Sequence, residues 1–161
     1  MGQKVHSERF PGESSRYRTA RNRLLEEERN LRKQVERVAR LRRKLLMGGL
    51  VPEDYVFDFS DAGTVRQVKI SELFRDGLDT LLLYSYMFGP NATRPCPMCT
   101  SFLDSLEGAV THVEQRANLA VVAKAPIERI QSFAQGREWR RLRLVSSANN
   151  NYNRDYHGET A

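Results

Sequence analysis

Cys96-Pro97-Met98-Cys99 brings together the two cysteines of this 161-residue chain. Two thiols separated by two residues, between an apolar run at 81–88 and a segment of helical spacing, suit thiol-disulfide chemistry. The thiolate is the reactive form of cysteine, and a helix N-terminus lowers a thiol's pKa through its unpaired N–H groups and the positive end of its dipole. A helix that starts near Cys96 puts Pro97 at the first helical position, where proline is favoured. Cys99 then lies one turn on, on the same face and within disulfide reach. Arg94 adds positive charge beside the pair. Cys96, at the junction of loop and helix, is the more exposed thiol and reads as the nucleophile; Cys99, in the first turn, reads as the resolving thiol that releases a mixed disulfide. A C-x-x-C can also be half a zinc site, but zinc takes four ligands. The chain has no second pair, and His6, His112 and His157 are scattered, so neither a metal nor another cofactor is expected.

Several elements must position this pair. Residues 1–15 are polar and carry Pro11 and Gly12, which predicts a loose N-terminus. Over 16–47 there is no Gly or Pro, and Leu24, Leu31, Val35, Val38 and Leu45 recur on one helical face. Glu36 and Arg40 sit at the supportive i,i+4 spacing on another face. Gly48, Gly49 and Pro52 end that helix. Tyr55, Phe57 and Phe59 alternate as a strand, residues 60–63 are a turn signal, and 65–70 is the returning strand. The run at 81–88 is apolar almost without break, the pattern of a central strand covered on both faces, with Met87 and Phe88 as core. Residues 89–95 are a loop. Phe102, Leu103, Leu106, Val110 and Val113 mark a helix after the cysteines. Residues 118–125 form a second apolar strand, Pro126 opens a helix that Gly136 stops, and 142–146 is a third strand. Trp139 packs near that helix end, and 148–161 is a loop-like tail. Strands alternating with helices predict an α/β domain over 53–147 with parallel strands joined by right-handed crossovers.

Composition narrows the setting. The length gives one domain enough chain for a core. No apolar stretch approaches the roughly 20 residues of a membrane helix, and the N-terminus lacks a signal-peptide core. The expected compartment is the cytoplasm, where a close cysteine pair is redox-active rather than a structural disulfide. The net charge is +6. Residues 16–44 hold ten Arg and two Lys against four Glu, a net +8, so the rest of the chain sums to about −2. The basic character therefore belongs to the long helix. Charge runs of this kind are usually solvated faces, and no aromatic interleaves the arginines, so nucleic acid is not the expected partner.

The chain resembles a mostly bacterial family of thioredoxin-like proteins of unassigned function, related to the thioredoxins and to the thiol-specific antioxidant, peroxiredoxin-like proteins. The resemblance spans about 21–156. Its carriers are Arg23-Leu24-Leu25-Glu26-Glu27-Glu28, Leu83-Tyr84-Ser85-Tyr86-Met87-Phe88-Gly89-Pro90, Cys96-Pro97-Met98-Cys99-Thr100 with Asp104, Val122-Ala123-Lys124-Ala125-Pro126-Ile127, and Val145-Ser146-Ser147 followed by Asn153-Arg154-Asp155-Tyr156. It implies a thioredoxin-like sheet with flanking helices, preceded by a long N-terminal helix and ending early at the C-terminus. An incomplete sheet of that kind has an open edge. Thioredoxins carry an aromatic residue before the first cysteine and Gly-Pro between the two; here Pro95 precedes and Pro97-Met98 intervene, so the redox potential does not carry over.

Three functions compete. The first is a thiol-disulfide oxidoreductase using Cys96 and Cys99, with protein thiols or disulfides as substrates and a reductase as partner. The second is a thiol peroxidase with Cys96 as peroxidatic cysteine, because Thr93 stands three residues before it as in the Thr-x-x-Cys of those enzymes. The third is a non-catalytic thioredoxin-like binding module. The helix stripe further predicts a homodimer through 16–47. The double substitution Leu31→Glu, Val35→Glu is then expected to halve the sedimenting mass; unchanged sedimentation would mean that the stripe covers only its own domain.

Overall fold

The computed structural model describes residues 8–61, 63–75 and 77–159. Part of the loose segment expected over 1–15, His6 in it, lies outside the described residues, as do Ala62 in the hairpin turn and the last two residues of the tail. The chain divides into two units, Met1–Leu50 and Val51–Ala161.

The first unit carries helix α1, Ser15–Arg43. Ser14 caps it: its hydroxyl accepts the Tyr17 N–H at 3.1 Å, satisfying one of the donors a helix start leaves free. Arg18 is buried on the Glu13 carboxylate. Arg40, Arg42 and Arg43 fill the last turn, where positive charge suits the helix dipole. The apolar stripe is real but bare within this unit, with Leu31 64% and Val35 59% exposed. The helix stops at Arg43, so Leu45 falls beyond it.

The second unit is α/β, built on a mixed five-stranded sheet in the order β2-β1-β5-β4-β3. Strands β1 (Val56–Asp61) and β2 (Thr64–Lys69) form an antiparallel hairpin, in register from Val56↔Lys69 to Asp61↔Thr64. Gly63 takes φ 86° in the turn, a conformation that costs a glycine little. Strands β3 (Leu81–Ser85), β4 (Asn118–Ala123) and β5 (Leu144–Ser146) run parallel, with Leu83 opposite Ala120 and Val122 opposite Val145. Helix α2 (Pro97–Val113) joins β3 to β4, and α3 (Ile127–Gly136) joins β4 to β5. With α1 and the short α4 (Tyr152–Asp155), four α-helices are present among the described residues.

Strand β4 is the centre of the core, and all six of its residues are buried. Its alternation splits the apolar side chains between two layers. Leu119, Val121 and Ala123 pack with Leu103 and Val110 of α2, Ile127 and Ile130 of α3, and Trp139. Ala120 and Val122 pack on the other side with Tyr55, Phe57, Val68, Leu73, Val145 and Tyr152.

Three sequence expectations are corrected. The run at 81–88 is not a central strand: among the described residues β3 lies at the sheet edge with β4 as its one sheet neighbour, and Leu82 is 48% exposed. A continuous apolar run records which faces are covered, not how many neighbours a strand has. Met87 is no core residue either, being 68% exposed, whereas Phe88 is buried. The tail is not all loop, because α4 buries Tyr152 and Asn153. Tyr152 meets Tyr55 and Phe57 edge-on, with ring centroids 5.6 and 5.5 Å apart, and this long-range aromatic packing outweighs a locally weak helix signal.

Candidate functional site

The dithiol sits where the chain leaves β3 and enters α2. Beyond β3 the backbone stays anchored: the Tyr86 N–H donates to the Val122 carbonyl at 2.8 Å, and the Ala125 N–H donates to the Phe88 carbonyl at 2.8 Å. The chain turns through 89–95, and the Cys96 N–H returns to the Met87 carbonyl at 3.0 Å. Cys96 is the N-cap of α2 and Pro97 its first residue. The N–H and the hydroxyl of Thr100 both donate to the Cys96 carbonyl, at 3.0 and 2.9 Å. The Tyr86 and Thr100 hydroxyls share a hydrogen bond of 2.8 Å. Cys96 and Cys99 are free thiols, each partly buried.

The first turn of α2 sets the electrostatics. The Cys99 N–H holds the Cys96 thiol below its ordinary range; the Cys99 thiol and the Met98 N–H add to this, and burial opposes it. The Cys96 side chain makes no capping hydrogen bond, and its place is that of a sulfur beside the free N–H groups and positive dipole end of a helix start. Tyr84 is pushed up to about 12, first by burial and then by the neighbouring Cys99 and Cys96 thiols. The Tyr84 ring lies against Phe102, centroids 4.9 Å apart.

The remaining expected site residues take different places. Arg94 is exposed, and the groups that lower Cys96 all come from the first turn of α2. Thr93 is exposed at the rim of a shallow cavity of about 410 Å³, which Phe88, Arg129, Phe133 and Arg137 also line. Arg129 is a residue that sequence reasoning missed. From α3 its guanidinium donates to the Pro90 carbonyl at 2.6 Å and to the Ala92 carbonyl, and it stacks over the Phe88 ring at 5.1 Å. It thereby fixes the loop that delivers Cys96. A partner made of two backbone carbonyls leaves no residue pattern to find.

Helix α2 is tied down behind the cysteines by two carboxylates. Asp104 accepts from the Arg137 guanidinium and from the Trp139 indole N–H at 2.9 Å, and the Arg137 hydrogen bond holds its carboxyl below the usual range despite burial. Glu107 accepts the N–H groups of Arg140, Arg141 and Leu142 at 2.9, 2.9 and 3.0 Å. His112 is exposed near the far end of α2. Among the described residues no three His, Cys, Asp or Glu side chains cluster as metal ligands, and no helix is long and apolar enough to cross a membrane.

A family model described as bacterial protein of unknown function (DUF899) matches residues 7–161. Neither a curated protein nor a solved structure matches the chain.

Proposed function

We propose, from the premise that the chain belongs to this bacterial family of unknown function, that it is a thiol-disulfide oxidoreductase on a thioredoxin-like scaffold. The reading rests on one observation: Cys96 occupies the N-cap position of α2, beside the free N–H groups of its first turn, and Cys99 is one turn away. The strand-dithiol-helix-strand order of β3, α2 and β4 supports the scaffold.

The exchange is a two-electron transfer. The Cys96 thiolate attacks one sulfur of a substrate disulfide, and the first substrate thiolate leaves. Cys99 gives up its proton and attacks the Cys96 sulfur. The mixed disulfide breaks, the second substrate thiolate leaves with a proton, and the pair ends as an intramolecular disulfide. The substrate has gained the two electrons that the dithiol lost, and a reductase or a small dithiol restores the pair. The cytoplasm, where a reductant pool exists, is the compartment that suits this cycle.

Alkylation of Cys96 as a function of pH, followed by mass spectrometry, tests the reading. The midpoint is expected well below the roughly 8.5 of a free cysteine. The sign follows from the depressed pKa: the reactive thiolate appears early as pH rises and persists above that point. By linkage, this group favours the fold at pH above the ordinary thiol pKa, and that contribution is lost as pH falls through the folded value. In Cys99→Ser the midpoint moves part of the way back, because the backbone donors remain. A midpoint at the ordinary value overturns the oxidoreductase and leaves a binding module. Consumption of hydrogen peroxide with Cys96 trapped as sulfenic acid would replace it with the peroxidase.

A further inference from the structure

We propose that the open edge of β3 takes an extended peptide from a partner protein as an added strand, with alternate apolar side chains in the cavity beside that edge and a basic residue at its acidic rim. The inference stands apart from the oxidoreductase reading and uses neither thiol.

Among the described residues the sheet ends at β2 on one side and at β3 on the other. A sheet edge presents a row of unpaired N–H and carbonyl groups, and charged side chains are one device that keeps other chains off it. Strand β2 has that device in the exposed Arg66 and Lys69. Strand β3 reads Leu81-Leu82-Leu83-Tyr84-Ser85 and has neither a charge nor a proline. Its backbone is set for pairing. The Asn118 N–H donates to the Thr80 carbonyl and the Tyr86 N–H donates to the Val122 carbonyl, both at 2.8 Å, so the even-numbered residues face β4. The residues between them face the other way, as the alternation of a parallel ladder requires. Leu81, Leu83 and Ser85 therefore turn their N–H and carbonyl groups to the open edge, where no hydrogen bond to another described residue meets them.

Beside this edge lies a cavity of about 470 Å³, walled by Ile70, Phe74, Leu81, Leu83, Tyr152 and Tyr156. Leu81 and Leu83 thus serve both features: their backbones form the edge and their side chains line the cavity. A strand laid along the edge extends the same sheet surface and turns every second side chain to the cavity's face of the sheet. In such strand addition the backbone bonds supply the attachment, and the cavity selects the side chains. The charged side chains that line the cavity are Glu53 and Asp54, both exposed and both acidic. Asp54 is held in place by the Ser71 N–H and hydroxyl, at 3.0 and 2.8 Å. This pair of carboxylates suits a lysine or arginine next to the apolar residues of the incoming strand. The β3 strand of a second copy brings no cation to them, which favours a foreign, basic segment as the occupant.

The probe is a fluorescent heptapeptide of alternating leucine and threonine with a lysine at each end, and its anisotropy is followed on titration with the full chain. Saturable binding is expected. N-methylation at every second residue removes the donors along one edge of the peptide, and shifting the pattern by one residue removes those along the other edge. One of these two forms is expected to bind at least about tenfold more weakly, the scale of a few lost backbone hydrogen bonds, and the other to stay within about twofold. Replacing both lysines by glutamate is expected to weaken binding about threefold at low salt, the scale of an exposed ion pair. Absence of saturable binding overturns the proposal. Equal binding of the two N-methylated forms also overturns it, because leucines would then enter the cavity with no strand formed. A glutamate form that binds as well as the lysine form removes the basic partner. A chain that sediments as a dimer until Leu82→Lys splits it gives the edge to a second copy, and the proposal falls.

Discussion

On the proposed function, Cys96→Ser is expected to abolish disulfide exchange, whereas Cys99→Ser is expected to perform the first half of the reaction and stop there. Serine at the cap of α2 keeps the turn and its N–H donors, but its hydroxyl does not ionise near neutral pH, so the donors have no anion to stabilise. The expected loss in reduction of a disulfide-linked peptide is on the order of a thousandfold or more, the scale of removing a nucleophile. Cys99→Ser retains the attacking sulfur and the backbone donors. It accumulates a mixed disulfide, seen as a covalent adduct on a denaturing gel that added reductant dissolves. The asymmetry between the two variants is the diagnostic result. A Cys96→Ser protein that turns over at the wild-type rate, or two variants that trap adducts equally well, would remove the assigned roles.

Asn118→Ala lowers stability by about 3 kcal/mol, although the residue touches neither thiol. Asn118 opens β4 and is 2% exposed. Its side-chain oxygen accepts the Arg75 N–H at 3.0 Å, and its amide donates to the Leu78 and Thr80 carbonyls at 3.2 and 3.1 Å. One side chain thereby fastens the segment before β3 to the start of β4. Alanine takes this partner from the Arg75 N–H and the Leu78 carbonyl, at about 1–3 kcal/mol for each group left unsatisfied, while the Thr80 carbonyl keeps the backbone N–H of residue 118 at 2.8 Å. At roughly 2–4 °C per kcal/mol for a domain of this size, the melting temperature falls by about 10 °C. A shift under about 2 °C would mean that water or a local rearrangement replaces the lost bonds.

Much of the site was legible because it is local. Leu103, Leu106, Val110 and Val113 announce α2 by their spacing, and Pro97 announces where it begins, so the placement of Cys96 at the cap follows from a few adjacent residues. The β1–β2 hairpin was legible for the same reason, through Tyr55, Phe57 and Phe59 and the turn after them. What escaped depends on partners distant in sequence. The edge position of β3 is fixed by which strands lie beside it, which its own apolar residues do not encode. Arg129 acts on carbonyls 37 and 39 residues away. Tyr152 is drawn into a helical turn by aromatic rings almost a hundred residues earlier in the chain. Asn118 reads in sequence as an ordinary polar residue before an apolar strand, and its weight comes from its own burial and from the three backbone groups it bonds.

The chain has a single tryptophan, and the fold has placed it well. Trp139 is buried between Tyr86 and Phe133, at 6.0 and 5.9 Å, with its indole N–H on Asp104 of α2. Tyr86 in turn is linked through Thr100 to the Cys96 carbonyl. Near-ultraviolet emission excited at the red edge therefore comes from one indole, in one environment, a short chain of contacts from the thiols. A change in the first turn of α2 on closing a disulfide has a direct route to the colour and yield of that emission. The protein carries its own optical gauge of the dithiol, readable in dilute solution without a label.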